Sequence, residues 1–152
     1  MPAIRPWMIA LLLLPLPAPA ADDPSSSPAD PVLTAAREAV ARQEYAKAAA
    51  VLREALGKGA ASADHHNLYA YALRKGPSPD MDLVFKHYDE ALRLDPKHRS
   101  AHEYIGEAYL AVGNVHKARE HLTALDRLCF FGCREYTDLR SAVREYEAKR
   151  KR

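Results

Sequence analysis

Cys129 and Cys133 are the only two cysteines in the chain, and they bracket Phe-Phe-Gly. Residues four apart in a helical or near-helical turn bring their Cα atoms to roughly 6 Å, within reach of a disulfide. In an oxidising compartment an even pair favours that bond. Closing so small a ring stabilises a fold by roughly 2 kcal/mol on the chain-entropy model. Two other chemistries stay open for the same pair. It could cycle as an exported thiol–disulfide couple, although Arg134 is the only basic residue beside it. Two thiolates also suit a soft ion such as Cu(I), although no thioether cluster accompanies them.

The other chemistry-bearing set is seven histidines, at positions 65, 66, 87, 98, 102, 116 and 121. His98 and His102 are four apart, but no His-Glu-x-x-His and no carboxylate at a set distance completes a metal site. No metal and no cofactor is expected. Most of these imidazoles are expected on exposed faces, with His102 packed between helices. Phosphate-cradling glycine loops are absent, as is the G-x-S-x-G nucleophile turn. No nucleophile, base and orienting group come together, so the chain does not read as an enzyme.

The chain has 152 residues, 48% of them hydrophobic, enough for one domain or a short repeat array. Lys and Arg number 22 against 20 Asp and Glu. That balance argues against a nucleic-acid surface, which would show a basic excess.

Residues 1–20 follow the order of a secretory signal: a short start carrying Arg5, the apolar run 7–16, then Ala18-Pro19-Ala20. The run is too short to span a bilayer, which takes about 20 residues. Cleavage is expected after Ala20, with export to the periplasm or beyond and no stable membrane insertion afterwards; retention of the segment as an anchor is the alternative. Residues 21–30 are polar and rich in Pro and Ser, a composition that cannot offset its ordering entropy by burial, and they read as a tether.

Beyond residue 31 only three of the eleven prolines remain, Pro77, Pro79 and Pro96. Runs rich in Ala, Leu, Glu, Arg and Lys lie between the breakers. They predict seven helices, near 31–42, 44–56, 62–75, 80–94, 98–112, 114–128 and 134–150. The short connections imply antiparallel neighbours. The fold class is all-α.

These helices repeat in pairs, over about 31–61, 62–96 and 99–128. In the third pair Ile105-Gly106, Tyr109, Gly113, Val115, Ala118, Leu122 and Leu125 stand at fixed offsets. The second carries Leu68, Tyr69 and Ala72, then Val84, Tyr88, Ala91 and Pro96. Setting Leu68 against Ile105 gives a spacing of 37 residues, with extra residues at 75–79. The first keeps Tyr45, Ala48, Leu52 and Ala55, with Ala35-Ala36 in place of Ile-Gly. The pattern resembles the tetratricopeptide repeat, a helix–turn–helix unit that cannot bury its apolar face alone. The resemblance implies an α-solenoid of three helical hairpins. Residues 129–152 add the C-x3-C turn and a capping helix whose apolar stripe is Tyr136, Leu139, Val143 and Tyr146.

In that family the concave side, lined by the first helix of each pair, receives an extended peptide or a partner helix. Carrying the groove positions over gives Thr34 and Arg37, then His66, Asn67, Ala70 and Arg74, then Glu103, Tyr104 and Glu107. Cations are expected toward one part of the groove and carboxylates toward another. The resemblance therefore implies a non-enzymatic adaptor for a protein or peptide partner, with weak self-association as a further possibility.

Overall fold

The computed structural model describes residues 30–59 and 61–151. The signal and tether expected over residues 1–29 lie outside that range, as does Arg152. Among the described residues there are seven α-helices and no strand: α1 (Pro31–Ala41), α2 (Tyr45–Gly57), α3 (Ala63–Lys75), α4 (Met81–Leu94), α5 (Arg99–Ala111), α6 (Val115–Leu128) and α7 (Arg134–Arg150).

The starts of these helices are written in side chains that accept free backbone N–H groups. Asp30 Oδ1 takes the amides of Val32 and Leu33 at 2.9 and 3.2 Å, with Pro31 in the first turn. Ser62, Asp80, His98 and Asn114 do the same for α3, α4, α5 and α6. Glu44, ahead of α2, makes no such bond.

Apolar positions three and four apart then turn one stripe of each helix inward. Val84, Tyr88 and Ala91 are fully buried on α4, as are Ala101, Ile105 and Ala108 on α5. Consecutive helices pair as α1–α2, α3–α4 and α5–α6, and each hairpin packs on the next. Small side chains permit the close approach: Ala36, Ala48, Ala70 and Ala118 are all fully buried. Gly106 goes further, because a Cβ built there would stand 2.6 Å from Leu139 Cδ2. That glycine lets α7 settle against α5.

The backbones of α1, α3, α5 and α7 approach one another in succession, whereas those of α2 and α4, and of α4 and α6, stay farther apart. The stack is therefore closer on the first-helix side and bends toward it. That side is concave, and α7 extends it by one further rung.

Candidate functional site

The concave face has three zones. At one end Asp64 on α3 holds two neighbours: Arg37 on α1 donates to its Oδ2 at 3.0 Å, and His98, at the start of α5, sits with Nε2 2.9 Å from Oδ1. His98 Nδ1 accepts the Ala101 amide, so the neutral ring carries its proton on Nε2 and donates it to Asp64. Beside this knot lies a hollow of about 250 Å³ lined by Val40, Asn67, Leu68, Ser100 and Tyr104 as well. In the middle Tyr71 and Tyr104 meet with ring centroids 4.7 Å apart. At the far end Arg74, whose guanidinium stands over Tyr71, donates to Glu107 at 2.6 Å. There a second hollow of about 340 Å³ has Leu110, Ala142 and Tyr146 on its walls.

The expected residues divide accordingly. Asn67, Tyr104 and Arg37 line the upper hollow, and Arg74 and Glu107 the lower one. Thr34 is exposed on the same face of α1 as Arg37, and its hydroxyl donates to the Asp30 carbonyl at 3.0 Å. Ala70 is fully buried and packs in the core with Val84, Tyr88 and Ile105. Glu103 is only 4% exposed, hemmed in by carboxylates of α5 and α7. The anticipated separation of cations from carboxylates is not found: Arg37 is bonded to Asp64, and Arg74 to Glu107. Separations of 27 and 33 residues bring these opposite charges on neighbouring first helices together.

His66 departs from the groove altogether. It lies against α4, with Nδ1 2.8 Å from His87 Nδ1 and the rings stacked at 5.0 Å. The same contact recurs one hairpin on, where His102 Nδ1 meets His121 Nδ1 at 3.0 Å. Each contact needs one N–H and one bare nitrogen. His102 Nε2 donates to the Pro96 carbonyl at 3.1 Å, so its neutral Nδ1 is bare and His121 supplies the proton. Burial, more than any neighbour, lowers the pKa of all four rings, that of His121 to about 4.

These twin contacts correct two sequence readings. Only His116 is well exposed, with 83% of its side chain accessible; the remaining imidazoles are buried or half-buried. The repeat register also moves by one residue. His66 corresponds to His102, so Tyr69, not Leu68, matches Ile105, and Ala70 matches Gly106, at a spacing of 36. Among the described residues no group of three or more His, Cys, Asp or Glu side chains could hold a metal ion.

Cys129 and Cys133 are joined as a disulfide, with Cα atoms 5.5 Å apart. Cys129 ends α6 and Cys133 begins α7, its sulfur accepting the Tyr136 amide at 3.4 Å. The bond thus ties one helix end to the next helix start. Phe130 and Phe131 project from the ring, 87% and 96% exposed.

Sequence reasoning missed Asp64, Tyr71 and His98. A signal was present: Asp64, Asn67, Tyr71 and Arg74 recur at spacings of three, four and three, a polar stripe along one side of α3.

A model of the tetratricopeptide repeat matches residues 33–80 and 86–129. The chain belongs to the tetratricopeptide repeat family. No curated protein matches it. Proteins of this family are generally interaction scaffolds rather than enzymes, and the repeats here point to protein partners. No helix of the described residues is long and apolar enough to cross a membrane.

Proposed function

We propose that this tetratricopeptide repeat protein is an exported adaptor that holds an extended segment of a partner protein in its concave groove. The observation that carries the reading is the polar, tyrosine-floored channel running from the Arg37–Asp64–His98 knot to the Arg74–Glu107 pair. Its side chains come from three successive first helices, and aromatic surface flanked by hydrogen-bonding groups suits a main chain with alternating contacts. Export is supported by the signal-like order of residues 1–20 and by a cysteine pair closed as a disulfide, a bond at home in an oxidising space.

A photo-cross-linking residue at Tyr71 or Tyr104, with a control at exposed Asp89 on α4, tests the groove in native cell envelopes. The expected result is the same protein adduct from both groove positions and none from the control. Adducts from Asp89 alone, or an identical pattern from all three sites, would refute groove binding.

A further inference from the structure

We propose that the α5–α7 end of the groove seats a lysine or arginine side chain of the partner segment, against Glu103 and Glu107. This rests on the groove reading above and specifies the chemistry of its occupant.

Glu103 is 96% buried, since only 4% of it is exposed, and its Oε2 has no hydrogen-bond partner among the described residues. A buried carboxylate oxygen left unpaired is costly, and the cost is relieved by a countercharge. Among the described residues Arg134 is the one cation that acts on this carboxyl, and it forms no ion pair with it. Glu107, Glu135 and Asp138 face the same carboxyl, while the nearby cations are engaged elsewhere. Arg74 is bonded to Glu107 at 2.6 Å, and Arg134 is a largely exposed side chain whose closest carboxylate is Asp138 at 3.8 Å. Burial first, then Glu107 and Asp138, push the Glu103 carboxyl up to about 7. Among the described residues no cation is bonded to the Glu103 carboxyl.

A second, separate position points to the same kind of ligand. Asn67 stands 36 residues earlier, at the place on α3 that Glu103 occupies on α5. It is 6% exposed, lines the upper hollow, and its Oδ1 is likewise buried without a partner. Successive rungs of the groove thus offer an unused neutral acceptor and then an unused acidic one. A backbone N–H answers the first and an ammonium or guanidinium the second. Packed helices lie about 10 Å apart, which about three residues of extended chain can cover. The cation therefore falls about three residues from the amide held by Asn67. An acidic segment would instead meet four carboxylates.

The test is a random twelve-residue peptide display selected against the chain lacking residues 1–20. Selected peptides are then assayed against Glu103→Gln, against Glu135→Gln with Asp138→Asn, and against Tyr71→Ala with Tyr104→Ala. Far-UV circular dichroism checks that each variant keeps its helix content. The expected result is enrichment of lysine and arginine, with binding weakened at least tenfold by Glu103→Gln and less by the exposed Glu135–Asp138 pair. Peptides that lack a basic residue yet lose binding in the tyrosine variant would overturn the cation and leave the groove reading intact. Peptides indifferent to every groove variant, or no enrichment at all, would overturn both.

Discussion

The turns of the first and third hairpins have the same backbone and different residues. Between α1 and α2, Gln43 adopts φ 61° and the Glu44 amide reaches back to the Ala39 carbonyl at 2.8 Å. Between α5 and α6, Gly113 adopts φ 82° and the Asn114 amide reaches the Tyr109 carbonyl at the same distance. The third hairpin uses the residues this turn wants: glycine where φ is positive, and asparagine to cap the next helix. The first uses neither. Its core is also slighter, built on Ala36, Ala39 and Ala48 around Leu33, Leu52 and Tyr69, and it has no histidine pair. The repeat geometry is imposed on α1 and α2 by their neighbours, whereas in the third hairpin local chemistry and packing agree.

Acid should separate the two regions most. The folded pKa values of His66, His87, His102 and His121 are lowered, so the stability linked to these rings is present above about 6.5 and is lost as pH falls through the folded values. Glu103 works the other way: its raised pKa favours the fold most below its ordinary value of 4.5, an advantage lost as pH rises through about 7. Burial raises the Asp89 carboxyl too, and four rings against these two carboxyls still make the balance unfavourable to the fold between pH 6.5 and 4. Amide exchange in α3 to α6 should accelerate over that window more than in α1 and α2. Equal acceleration throughout would mean the histidine contacts do not set acid stability.

Gly106→Leu comes next. Leu139 is fully buried and has little room to retreat, so overpacking should lower stability by more than about 2 kcal/mol in urea unfolding. An unchanged midpoint would break the packing of α7 on α5. Reduction of Cys129–Cys133 should lower it by roughly 2 kcal/mol, with the new exchange confined to α6 and α7. The smallest effect tests the turns directly. Gln43→Gly should raise stability by about 1 kcal/mol through relief of the left-handed backbone, whereas Gly113→Gln should lower it. A loss on Gln43→Gly would mean the side chain makes a contribution that outweighs its backbone strain.

The fold was legible because helix starts, breakers and apolar periodicity all coincide. Asp30-Pro31, Asp80 and Gly113-Asn114 announce their boundaries in local chemistry that needs no tertiary context. The site was only partly so. Asn67, Arg74, Tyr104 and Glu107 reach the channel because first-helix periodicity places them there. Their pairing was not readable, because Arg74 and Glu107 are 33 residues apart and meet only once the stack has closed. The one-residue error in register has a similar origin. Leu68 and Ile105 are alike in type, but the buried residue that matches Ile105 is Tyr69, and side-chain type misleads where two aliphatics compete for one position. His66 was misplaced by that same step.

Asp64 grips Arg37 with one oxygen and His98 with the other, and His98 in turn anchors the first turn of α5. A guest that draws Arg37 away leaves the carboxylate free to tighten on the imidazole. An event at one hairpin would thereby be felt at the threshold of the hairpin after next, through a single side chain and without any helix having to slide.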